Sequence, residues 1–113
     1  MRKLKRSECS VMTLLMAYPW YDMIDRGEKL EEYREVTRYY ASRIIKWQGN
    51  FIRKPQLRHL VLAFQRGYNK PSMWFELNLG CTFKRKGIEH PEWGEWEEDH
   101  YVFVLDERVE LED

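Results

Sequence analysis

A chain of 113 residues supports one domain with a single modest core and leaves no room for two. Its 19 Lys/Arg balance its 19 Asp/Glu, so bulk charge says nothing about a partner, and five Trp with seven Tyr speak against a disordered chain. The distribution is uneven: residues 1–60 carry 13 Lys/Arg against 7 Asp/Glu, residues 61–113 carry 6 against 12. That split either makes a dipolar surface or pairs within the fold.

Cys9 and Cys81 are far apart, with no secretory or transmembrane run ahead of them, so a cytoplasmic protein with free thiols and no membrane contact is expected. His59, His90 and His100 lack metal-ligand spacing. No metal site and no cofactor are expected, and His90 and His100 read as loop or strand-edge positions.

In chain order, residues 1–10 hold Arg2, Lys3, Lys5 and Arg6 with little apolar content and read as a flexible basic arm, leaving 11–113 as the single domain. Residues 11–16 form a short apolar run that suits a buried strand. Over 18–26, Pro19 fits the first helical position, and Trp20, Met23 and Ile24 repeat at i, i+3, i+4, which predicts a short helix. Gly27 then supplies the left-handed residue that closes a helix.

Beyond Gly27 the chain is expected to be extended, with Leu30, Glu32 and Arg34 on one face and Glu31 and Tyr33 on the other. Lys29 has the wrong parity to join Glu32 and Arg34 in a regular strand, so convergence of all three requires it to sit in the turn or on a twist. A guanidinium fork, a carboxylate and a mobile ammonium in one place suit anion binding or acid-base chemistry, while charges alternating on an exposed edge strand give the same spacing.

Thr37 is placed to cap a second helix over 38–47, in which Tyr40, Ile44 and Trp47 make an apolar stripe ending at Gly49-Asn50. Arg38, Arg43 and Lys46 give its outer side a positive potential. Residues 57–64 read as a strand, and 65–71 as a turn around Gly67 that leaves Tyr68 as a candidate pocket wall. Residues 72–83 form the longest strand candidate, with Phe64 and Phe75 expected in the core. Residues 84–87 are a basic turn, and 89–99 are acidic with Trp93 and Trp96 embedded. Residues 101–105 form the last clear strand, continued by 109–111 after a turn at Asp106-Glu107. The count of elements suits an α+β fold, a small, partly closed mixed β-barrel flanked by two or more helices.

Gly27-x-Lys29-x-x-Glu32-x-Arg34 resembles the G-x-K-x-x-E-x-R signature of the ASCH domain family, within the PUA-like superfamily. Phe64-x-x-Gly67-Tyr68, Pro91-Glu92-Trp93-Gly94 and the strand Tyr101-Val102-Phe103-Val104-Leu105 are similar to features of small free-standing members, so the resemblance covers roughly residues 11–111. It implies a PUA-like barrel with a cleft where the signature residues meet, and RNA or a nucleotide-like ligand as partner. In that cleft Lys29 and Arg34 would hold a phosphate, Glu32 would bond a base edge or fix Arg34, and Tyr68 or Trp93 would stack.

Some relatives of that kind are amidohydrolases acting on N4-acylated cytidine, or ribonucleases, and under that reading Lys29 and Glu32 are the catalytic candidates. The threonine of the amidohydrolase pattern is Glu32 in this chain, and its distal glutamate falls among Glu76, Glu89 and Glu92. A third possibility is an interaction module in which Glu32 and Arg34 form a structural ion-pair network.

Overall fold

The computed structural model describes residues 1–90 and 94–113. The chain folds as α+β: β1 (Arg2–Lys5), a 3-10 turn (Arg6–Glu8), β2 (Cys9–Met16), α1 (Tyr18–Asp25), β3 (Glu31–Glu35), α2 (Arg38–Arg53), β4 (His59–Arg66), β5 (Pro71–Glu76), β6 (Cys81–Lys84), β7 (Glu89–His90), β8 (Gly94–Glu95), β9 (His100–Val104) and β10 (Glu107–Glu112). A five-stranded mixed sheet runs β1-β10-β5-β4-β2, a second sheet runs β3-β9-β6, and β7 and β8 form a separate ribbon. Among the described residues no hydrogen-bonded ring closes these sheets into a barrel.

The two main sheets share one core. Met12, Leu14 and Met16 alternate inward along β2, while Leu15 between them is exposed, as a strand with one buried face requires. They meet Leu62 and Phe64 of β4, Met73 of β5, Phe103 of β9 and Ile44 and Trp47 of α2. Trp47 also ties helix to sheet by polar contacts: its indole N–H reaches the carbonyls of Ser10 (2.9 Å) and Val61 (3.1 Å), and Ser10 Oγ donates to the Trp47 carbonyl at 2.7 Å. The indole thus packs as an apolar ring without an unsatisfied donor.

Several expectations need correction. Residues 1–10 are not a free arm: β1 pairs in parallel with β10 from Arg2↔Val109 to Lys5↔Glu112, and Leu4 is buried with Cys9, Val61 and Val109. One apolar side chain among the cations suffices, because β10 offers an unpaired edge to bond against. The strand expected over 72–83 is two strands. Gly80 at φ +71° turns the chain, Asn78 N–H donates to Asp106 Oδ2 at 2.7 Å, and Cys81 N–H donates to Gln48 Oε1 at 2.7 Å. Leu79 is left exposed and Phe75 only half-buried.

The Thr37 cap is present, its hydroxyl accepting from Tyr40 N–H at 3.1 Å, but α2 continues past Gly49 to Arg53. Glycine costs a helix about 1 kcal/mol, too little to end one whose neighbours are packed. In α1 the buried residues are Tyr21 and Ile24, and Trp20 turns outward; Tyr21 Oη, 2.7 Å from Ser72 Oγ, fixes that rotation against β5.

Candidate functional site

The site begins at the end of α1. Glu28 N–H donates to the Met23 carbonyl (2.9 Å) and Gly27 N–H to that of Ile24 (3.0 Å), the paired bonds of a Schellman motif, with Gly27 at φ +77°. This closure throws the chain back along the helix and sets Lys29 in the turn ahead of β3, where strand parity does not bind it. Its ammonium lies 4.6 Å from the centre of the Tyr33 ring, donates to the Glu31 carbonyl, and reaches Glu32 Oε1 at 3.2 Å.

Glu32 and Arg34 share a face of β3 as expected. Arg34 Nε donates to Glu32 Oε2 at 2.7 Å, so the two oxygens of one carboxylate are held by two cations. Arg34 is further pinned by Tyr40 Oη (2.7 Å), the Leu15 carbonyl (3.0 Å) and Met16 Sδ (2.9 Å). Burial works against its charge, but Glu32 and Tyr40 outweigh it and hold its pKa above the ordinary guanidinium value. Lys29 and Glu32 are 2% and 5% exposed, so the cluster is an internal one with net charge +1 and only the Arg34 edge near solvent.

Over this cluster lies a cleft of about 370 Å³, lined by Lys29, Glu32, Arg34, Glu35, Leu15, Met16 and Ala17 and by the rings of Trp20, Tyr33, Tyr40 and Trp96. The structure therefore brings Lys29, Glu32 and Arg34 together and leaves Tyr68 out. Tyr68 is 98% exposed at the tip of the β4–β5 turn and borders no part of the cleft. Trp93 and Glu92 lie outside the described residues. Of the other glutamates considered, Glu76 is engaged elsewhere by Arg2 and His59, and Glu89 is exposed on β7; neither borders the cleft.

Sequence reasoning missed the aromatic lining. Tyr40 sits on an apolar stripe that reads as core, Trp20 serves only as part of a helical spacing, and Trp96 is one of two embedded tryptophans in an acidic stretch. The usable signal was Tyr40, one turn after the Thr37 cap and therefore beside the strand that carries Arg34.

On the opposite face of β3, Tyr33 Oη donates to Glu31 Oε1 at 2.7 Å, and His90 Nδ1 lies 3.7 Å from the same oxygen. His90 ends β7 and His100 opens β9, the strand-edge positions expected of them, and both are buried, with their Nε2 atoms 2.6 Å apart. His100 Nδ1 is 2.8 Å from the Glu98 carbonyl, which makes it the donor there and leaves Nε2 to accept from His90. The Trp96 ring stacks on His100 at 4.7 Å, so this network backs one wall of the cleft. Among the described residues no group of three or more His, Cys, Asp or Glu is arranged to hold a metal ion, and no helix is long and apolar enough to cross a membrane.

Comparison with protein-family models, with curated proteins and with solved structures gives no match, so the functional reading rests on the site itself.

Proposed function

We propose that this chain is an ASCH-like module that binds a nucleotide, or a nucleotide unit of single-stranded RNA, in the cleft over Lys29, Glu32 and Arg34. The observation that carries the reading is the combination in one cleft of about 370 Å³ of two cations, Lys29 and Arg34, bridged by Glu32, with the rings of Trp20, Tyr40 and Trp96. That volume is at the small end of ligand sites and suits a single base with its sugar. Rings offer stacking faces to any base, and the polar floor supplies orientation. The shared core of the two main sheets fits the partly closed PUA-like barrel that the signature implies.

The division of labour differs from a simple phosphate clamp. Lys29 is buried and acts through Glu32, holding the carboxylate in place. Arg34 keeps one N–H, on Nη1, beyond its bonds to Glu32, Tyr40, Leu15 and Met16, and offers that donor to the ligand. Arg34 closes on Glu32 Oε2 with both Nε and Nη2, so Oε1, which takes Lys29 alone, is the oxygen left to accept from an exocyclic base amino group.

An amidohydrolase has less support. A lysine nucleophile needs an unengaged lone pair, whereas Lys29 donates to Glu31 and Glu32, and Glu35 is the one described glutamate besides Glu32 that borders the cleft.

The test is a thermal-shift and product-release screen against nucleoside monophosphates, short single-stranded RNAs and N4-acetylcytidine, run beside Trp20→Ala and Arg34→Ala. Stabilisation by nucleotide that both substitutions remove, without turnover, is the expected result. Release of cytidine would replace binding by catalysis. No response from the folded protein to any ligand would sink the cleft reading.

A further inference from the structure

From residue 36 to residue 75 the chain contains no Asp or Glu and eight Lys/Arg. Two of the eight find carboxylates, Arg58 with Glu8 at 4.0 Å and Arg66 with Asp22 at 2.9 Å. Among the described residues the other six have no carboxylate partner: Lys70, ahead of β5, and Arg38, Arg43, Lys46, Arg53 and Lys54, which all belong to α2 or its end. A helix this basic and uncompensated carries a standing positive field that charge-balanced helices do not.

The field is concentrated in a groove. Between α2 and β2, the outermost strand of the large sheet, lies a cavity of about 580 Å³ bordered by Ser10, Thr13, Arg43, Lys46, Asn50 and Lys54, with no carboxylate on its walls. Arg43, Lys46, Asn50 and Lys54 recur at i, i+3, i+7, i+11, one stripe of a helix. Arg43 is fixed at the head of the stripe, donating to the Thr13 carbonyl at 2.5 Å with its guanidinium 5.3 Å from the centre of the exposed Tyr39 ring. The groove also continues the cleft already described. Along β2, residues 9–13 border the groove and Leu15 and Met16 border the cleft; along α2, Tyr40 borders the cleft and Arg43, one turn on, opens the groove.

We infer that the α2–β2 groove is a phosphate track for single-stranded RNA, carrying the chain onward from the nucleotide held in the aromatic cleft. This rests on the cleft reading and extends it from one nucleotide to a run of them. Tyr40 to Lys54 spans 14 residues, about 21 Å of helix, room for several nucleotides rather than one. A row of cations ending at stacking rings is the arrangement that an alternating phosphate and base polymer requires, whereas an acidic peptide has no use for the rings.

The experiment compares the native protein with the Lys46→Gln, Lys54→Gln double variant. Both lysines are exposed and unpaired, so the fold is preserved, and a matching thermal melt confirms it. Two probes are used: adenosine monophosphate, which can fill only the cleft, and a fluorescein-labelled single-stranded oligoadenylate of about a dozen nucleotides, titrated between roughly 50 and 200 mM salt. The expected result is unchanged mononucleotide binding, with oligonucleotide affinity down about tenfold and its log–log salt slope shallower by about 1.4, from about 0.7 for each lost phosphate contact on a single strand.

An oligonucleotide salt slope that the double substitution leaves unmoved overturns the track while the cleft stands. So does an oligonucleotide bound no tighter than the mononucleotide. Oligonucleotide binding with the lysine dependence but no mononucleotide binding keeps the track and removes the cleft. Poly-glutamate bound as tightly as the oligonucleotide, with the same lysine dependence, replaces RNA by an acidic protein as the partner.

Discussion

Glu32 accepts a 2.7 Å hydrogen bond from Arg34 two residues along the same strand, while its other oxygen takes Lys29 at 3.2 Å from the turn before. One carboxylate thus neutralises a lysine that is 2% exposed. Glu32→Ala would leave that ammonium buried without a counter-charge, and breaking such a pair costs about 3–5 kcal/mol. Lys29→Met leaves Glu32 with Arg34 and should cost less than half as much. Urea unfolding of the two variants checks the order; equal losses would show that the charges act independently.

Trp20 lines the cleft from a surface position, 37% exposed, and removing it opens no core cavity. Trp20→Ala should weaken nucleotide binding by about 1–3 kcal/mol, the usual loss of one stacked base, with little change in melting temperature. Tyr68→Ala, on a ring 98% exposed and away from the cleft, should change neither. Isothermal titration with adenosine monophosphate separates the two.

Leu4 is the buried residue of β1, 6% exposed against Cys9, Val61 and Val109. Leu4→Ala should therefore destabilise the domain by about 2–5 kcal/mol, which no mobile arm would do. Slow hydrogen exchange of the amides in β1 that bond β10 is the companion observation.

Burial pushes the Cys81 thiol up to about 12, with the Val102 backbone opposing. Thiolate is the reactive form, so at pH 8 its alkylation by iodoacetamide should run about a thousandfold slower in the folded protein than in urea. The linkage has a definite sign. An acid whose folded pKa is raised holds its proton better when folded, so its contribution is complete below about pH 8.5 and is lost as pH climbs from there toward 12. Cysteine mapping by mass spectrometry, in a Cys9→Ser background, reads the rate directly.

The apolar runs of β2 and β9, the Thr37 cap and the Gly27 helix stop were legible in the sequence, because each depends on residues within a few positions of one another. So were Glu32 and Arg34 as neighbours on one strand face. β1 was not legible, since its stability comes from β10, about a hundred residues away. Nor was the split of 72–83, which depends on a glutamine of α2 and an aspartate after β9 reaching into the turn.

Local spacing determined which charged side chains share a strand face and where α1 stops. Only the tertiary structure decided that Lys29 is buried against Glu32, that Trp20, Tyr40 and Trp96 rather than Tyr68 line the cleft, and that α2 lays its cations beside β2. The physical reason is the same in each case: a ring or a charge on a periodic stripe has a face, but what that face meets is set by how helices and sheets dock, and docking is a property of the whole core.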